Sequence, residues 1–140
     1  MNKIVDFNGI GYVAATFPVD DTTKAYLVAN HTNAKTGNVD INGKNLAVKL
    51  GTDGKVGFGA STATSADALL GIIIAYEMDG FASVQIAGGI DEVPTAAAIT
   101  GGRKTLAVNN TGALVVVEGS RETTVAKPSA SGNLFASIIL

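Results

Sequence analysis

The chain has no cysteine and no tryptophan, a single histidine and two arginines in 140 residues. Without thiols it can form no disulfide, no thiolate metal site and no cysteine nucleophile. Any triad or histidine-based metal site would depend on His31 alone. The surrounding Asn30-His31-Thr32-Asn33 reads as a solvated loop after a strand over Ala25–Ala29. Clustered positive charge is also missing. The net charge is −2 and the densest basic pair is Arg103-Lys104. A surface that tracks phosphates needs several grouped Lys or Arg, so nucleic acid is a poor candidate and no such partner is expected. The longest apolar run, Leu69 to Ala75, is too short to span a bilayer, and no membrane partner is expected. The opening MNKIVDFNGIG is broken by Asp6, Asn8 and Gly9 and lacks the apolar core of a secretory signal. Synthesis in the cytoplasm without a signal peptide is the expectation.

What is present is glycine and small or aliphatic residues. Glycine occurs 17 times, 46% of the residues are apolar, and only 16% are charged. Asn8-Gly9, Asn42-Gly43, Asp53-Gly54 and Asp79-Gly80 are dipeptides that supply positive φ in tight hairpins. Asn110-Thr111-Gly112 suits a three-residue loop with Gly112 left-handed. Between these turns lie short β-branched or alternating runs at the spacing of a sandwich or barrel. The early ones are Ile4–Phe7, Tyr12–Phe17, Ala25–Ala29, Asn38–Ile41, Leu46–Leu50 and Lys55–Phe58. The later ones are Gly71–Met78, Phe81–Ala87, Thr105–Asn109, Ala113–Glu118, Thr123–Ala126 and Leu134–Leu140. The fold class is therefore all-β, a small barrel or sandwich of short strands, with at most one or two short helical turns. Ser61–Leu70 is the place for one, with Ser65 as its N-cap. The chain reads as one domain over residues 1–140 with no visible internal repeat and a soft seam near 59–66. Residues 1–60 would supply N-terminal strands or an arm.

Several stretches imitate known sites without meeting their requirements. Asn38, Asp40, Asn42 and Gly43 stand at the first, third, fifth and sixth positions of a calcium loop. Its twelfth position needs a bidentate Glu and holds Lys49. Gly9 to Ala14 fits G-x-G-x-x-A, but strand residues and Pro18 follow it where a dinucleotide site needs a helix. Gly51–Lys55 lacks the spacing of a phosphate-binding loop. Gly57–Thr62 and Gly88–Glu92 loosely resemble two motifs of the trimeric dUTP pyrophosphatases, but in reversed order. General acid–base catalysis needs two groups of separated pKa in a cleft, and no pair stands out. The expectation is a protein that is not an enzyme and needs no cofactor.

The stretch AYEMDGFASVQIAGG, residues 75–89, carries Glu77 and Asp79 around a turn. A two-residue turn at Asp79-Gly80 would set Tyr76 opposite Ser83 and Ile73 opposite Ile86. The acids then sit at the wet tip. Ile74, Tyr76, Met78 and Phe81 share an outer face that another layer or subunit must cover.

Over residues 69–140 the sequence resembles the small capsid decoration, or cement, proteins of tailed bacteriophages. The likeness runs through Gly71-Ile72, the Asp79-Gly80 hairpin, Val84-x-Ile86-x-Gly88 and Val93-Pro94. It continues through the Gly101-Gly102 turn, the Asn109–Gly112 hairpin and the alternating end NLFASIIL. Arg103-Lys104 departs from it, since the family often has an acidic residue there. The resemblance implies a cement-like β-barrel over 67–140 on the outer capsid surface of a virion. It also implies partners, the major capsid protein and the chain itself, as a homo-oligomer with a trimer favoured and a dimer possible. The interface residues expected are Ile4, Val5, Phe7, Tyr76, Met78, Phe81, Phe135, Ile138, Ile139 and Leu140, with the first and last strands as open edges. The alternative is a carbohydrate- or surface-binding β module of a phage fibre or adhesin.

Overall fold

The computed structural model describes residues 11–77 and 79–140. Ile4, Val5, Phe7 and Met78, and the expected strand Ile4–Phe7, lie outside the described residues.

The fold is all-β. Ten strands follow in order: β1 (Val13–Pro18), β2 (Ala47–Leu50), β3 (Val56–Gly57), β4 (Gly71–Tyr76), β5 (Phe81–Ala87), β6 (Gly89–Pro94), β7 (Gly102–Val108), β8 (Leu114–Val116), β9 (Arg121–Lys127) and β10 (Phe135–Ile139). A helix, α1 (Asp21–His31), lies between β1 and β2, and a 3₁₀ turn (Ser65–Asp67) precedes β4. The strands form two antiparallel sheets, ordered β1-β5-β4-β2-β3 and β6-β10-β9-β7-β8.

These two orders are the same order. Numbered within its own sheet, each reads first, fifth, fourth, second, third. The likeness extends to the register. Pro18 pairs with Phe81 and Phe17 with Ala82 in the first sheet; Pro94 pairs with Phe135 and Val93 with Ala136 in the second. The residue after each proline makes a parallel bridge to the far outer strand, Val19 to Val56 and Thr95 to Leu114. Each sheet thus curls until its two outer strands meet. The next amide closes the ring in both, Asp20 N–H to Val56 O at 2.9 Å and Ala96 N–H to Leu114 O at 3.0 Å. Even the bulge recurs, between Ile73 and Ala75 opposite β5 and opposite the Ser137–Ile138 step of β10. The chain is built from two copies of one five-stranded unit, joined at Gly88. An internal repeat does exist, then, although none is visible in the sequence.

The two units share one core. Val19, Val56, Ile72, Ile73 and Val84 come from the first, and Val93, Leu106, Leu114, Val125 and Ile138 from the second; all are at most 2% exposed. Each such side chain stabilises the fold by about 1.5–3 kcal/mol relative to its exposed state.

Four local readings are corrected by the structure. Ala25–Ala29 is helical, not a strand. Asp20 adopts extended geometry at the N-cap, and its Oδ1 accepts the Thr23 N–H at 2.7 Å. Thr23 and Leu27, four residues apart, are the buried positions of α1, so a one-sided helical anchor overrides the β-branched composition. Asn38–Ile41 contributes only the bridge of Val39 to Thr32. The last strand is not an edge: β10 lies between β6 and β9. The expected N-cap Ser65 is also displaced by one residue, because Thr64 caps the 3₁₀ turn and Asp67 completes a reciprocal capping box.

Candidate functional site

The hairpin around Asp79-Gly80 has a different register from the one expected. Glu77 N–H donates to Phe81 O at 2.8 Å and Gly80 N–H to Glu77 O at 3.1 Å, with Gly80 at φ 86°. The turn therefore closes between Glu77 and Phe81, and Tyr76 pairs with Ala82 instead of Ser83. A one-residue change of pairing moves side chains to the other face. Tyr76 now shares the inner face with Ala82 and packs against the core. Its hydroxyl pKa is raised by burial and then by the nearby Asp79 charge. Phe81 remains outside, 40% exposed.

The other expected interface residues divide in the same way. Phe135, the counterpart of Phe81 in the second unit, is 42% exposed. Ile138 is fully buried in the chain's own core and cannot present itself to a partner. This corrects its assignment, and the cause is the central position of β10. Ile139 and Leu140 are half-buried, and Leu140 N–H donates to Gly88 O at 2.9 Å. The tail is thus covered by its own fold. Tyr12 and Val13, at the start of β1, are 66% and 55% exposed and escaped the sequence-based selection.

A second feature is a cleft of about 510 Å³ beneath α1. It lies against the first unit, where α1 and its following loop fill the connection from β1 to β2. The corresponding connection in the second unit, residues 95–101, has no helix. The helix supplies Asp20, Thr23 and Tyr26 to one wall. Lys49 of β2 and Asp67 of the 3₁₀ turn supply the floor, and Asn110 of the β7–β8 loop reaches in from the second unit.

The walls meet because two glycines let them. A Cβ on Gly57 would collide with the Asp20 carboxylate, and one on Gly59 with the Val108 carbonyl and with Asp67. Between them Phe58 N–H donates to the Thr23 hydroxyl at 2.9 Å. The Phe58 ring meets Tyr26 edge-on, with centroids 5.4 Å apart. Lys49 Nζ lies 2.8 Å from Asp67 Oδ1, and Thr64 N–H donates to Asp67 Oδ2 at 3.0 Å. Burial would raise the Asp67 pKa, but the Lys49 bond, the Thr64 and Ala60 amides and the Lys49 charge outweigh it, so the net direction is down. The Lys49–Asp67 pair is therefore internally neutral, and Asp20 is the remaining formal charge of the wall.

His31 ends α1, half-buried, with Tyr26 at a ring-centroid distance of 6.0 Å. Burial and then repulsion from Lys44 lower its pKa. None of Asp20, Tyr26, Lys49, Asp67 or Asn110 was singled out from sequence as a site residue. The available signal was local: an Asp after Pro18 at a helix start, and a Gly-Phe-Gly that keeps the backbone thin.

Comparison with protein-family models, with curated proteins and with solved structures finds no match to this chain.

Proposed function

We propose that the chain is a non-enzymatic capsid decoration protein of a tailed bacteriophage, which binds the outer capsid surface and braces neighbouring major capsid subunits. One observation carries the reading: the chain contains two copies of one unit, and each copy displays an exposed phenylalanine at the same structural place. Phe81 and Phe135 both follow a turn and both pair with the proline that ends the unit's first strand. A shell repeats one surface at regular intervals. A body with two equivalent contacts can engage two of those surfaces, and the second contact forms intramolecularly at high effective concentration. The sequence resemblance to cement proteins over 69–140 points the same way. Self-association into a trimer belongs to the same proposal; the exposed start of β1 is a strand edge that suits it.

The test uses purified chain and capsids of its phage stripped of decoration. Co-sedimentation and a rise in the capsid's melting temperature are expected. Phe81→Ser and Phe135→Ser should each weaken capsid binding by roughly 10- to 100-fold through loss of the paired contact. The double variant should not bind. A folded chain that stays monomeric by light scattering and does not sediment with capsids overturns the proposal.

A further inference from the structure

We propose that the cleft beneath α1 is a saccharide-binding site, independent of any contact with a capsid. Its volume of about 510 Å³ falls within the range of small-molecule sites, roughly 300–1,000 Å³. It continues past Asp20 and Lys49 into a second hollow of about 410 Å³ lined by Leu50, Gly51 and Asp53. The two hollows share both residues, so the groove has length for more than one sugar ring.

The chemistry of the walls selects the ligand class by elimination. An anion would face the carboxylates of Asp20 and Asp67. A cation would find one uncompensated carboxylate, Asp20, since Lys49 already neutralises Asp67, and a single charge returns too little for its desolvation. A wholly apolar ligand would strip water from Asp20, Lys49 and Asn110 and return no hydrogen bonds, at a cost for each polar group. A neutral polyhydroxyl ring meets every requirement. Hydroxyls donate and accept at once, so they can donate to the Asp20 carboxylate and accept from Lys49 and the Asn110 amide. The carbon face of a pyranose is apolar and fits against the Tyr26 ring, which Phe58 holds in place edge-on. The polar groups are also fixed in advance. Asp20 is held by its N-cap bond to Thr23, and Lys49 is held by Asp67. Such preorganisation lowers the ordering cost of binding.

The second unit supplies the internal comparison. It has the same strand order, yet the connection over residues 95–101 carries no helix. The groove is therefore a feature added to one copy of a duplicated scaffold, not a consequence of the scaffold itself.

The experiment titrates the ¹⁵N-labelled full chain with methyl glucoside, methyl N-acetylglucosaminide, cellobiose, chitobiose, maltose and lactose. In parallel, insoluble cellulose and chitin are used to retain the chain. Saturable amide shifts clustered at Tyr26, Lys49, Gly59 and Asn110 are expected for at least one sugar. Thr22, the first-turn residue of α1 beside Asp20, and Asn110 are exposed residues that line the cleft; Asn110→Ala and Thr22→Ala should each weaken that binding by roughly tenfold, as loss of one hydrogen bond implies, with an unchanged melting temperature. Retention on a polymer assigns the site to surface glycans, and binding of free sugars alone assigns it to soluble ones. Absence of shifts from every sugar, or shifts only from butylamine or inorganic phosphate run as controls, overturns the proposal. Capsid binding is read separately, so either proposal can fail while the other stands.

Discussion

Asn45 and Glu92 touch across the junction of the two units, and both hold positive φ, 53° and 59°. The Asn45 amide donates to Asp91 O at 2.7 Å and reaches Glu92 O at 3.5 Å. Asn45 stands in the first unit and closes carbonyls of β6, an outer strand of the second. Left-handed geometry suits Asn and is costly for Glu, whose side chain is held by Lys127 Nζ at 2.6 Å. Asn45→Ala removes the donor and puts a residue that tolerates the left-handed region less well than Asn at φ 53°. A loss of about 1–3 kcal/mol is expected, measured by urea denaturation. Asn45→Gly restores the geometry without the donor and should cost less than Asn45→Ala.

Arg121 forms a second tie. It opens β9 in the second unit, and its guanidinium donates to the Leu70 and Ile86 carbonyls of the first. Burial lowers its pKa, a sign that the group is drawn into the body of the protein. Arg121→Met keeps much of the aliphatic stem and leaves both carbonyls unpaired. The expected cost is about 1–3 kcal/mol, and hydrogen exchange should speed up at the ends of β4 and β5 before it does so in β7.

The turns were legible because turn chemistry is local. Gly54 and Gly112 stand at φ 80° where Asp-Gly and Asn-Thr-Gly place them. Strand spacing likewise fixed the all-β class. The duplication was hidden because its sequence trace is short: Phe-Ala-Ser at 81–83 and again at 135–137, with a proline ending each unit's first strand. Insertion of α1 into one copy removes any constant period. Strand β6 was missed because the left-handed Glu92 interrupts its alternation. The Tyr76 face was misassigned because Gly80 lengthens the turn by one residue; the bulge between Ile73 and Ala75 then returns Ile73 to the inner face, so only the end of β4 changes sides. The cleft unites Asp20, Lys49, Asp67 and Asn110, residues far apart in sequence that only the helix and the two glycines bring together.

Two groups give the stability an acid dependence. Asp67 has a folded pKa below its ordinary 3.8. Its contribution is therefore complete above that value and disappears as pH falls through the folded pKa. His31 has a folded pKa below its ordinary 6.5, from burial and then Lys44. The folded chain prefers neutral imidazole, so protonation destabilises it and stability falls as pH drops below that ordinary value. His31→Gln should flatten the decline between about pH 7 and pH 5. Asp67→Asn should flatten only the part below about pH 4. Melting temperatures across the pH range separate the two.

Gly59 is the most demanding position around the cleft. A Cβ there meets the Val108 carbonyl, which is backbone, and the Asp67 side chain as well. Gly59 N–H donates to Asn109 O at 3.0 Å, so the segment cannot withdraw without breaking a bond between the two units. Gly57 is crowded chiefly by the Asp20 carboxylate and the Thr23 hydroxyl, side-chain atoms that rotation can displace. Gly59→Ala should therefore cost about 1–3 kcal/mol, the usual range for overpacking against a fixed neighbour, and Gly57→Ala less. Gly57→Ala instead breaks the helix cap. It should lower α1 protection in hydrogen exchange and open the cleft while the two sheets keep theirs. Equal losses from the two substitutions would mean that Asp20 is as immovable as the Val108 backbone.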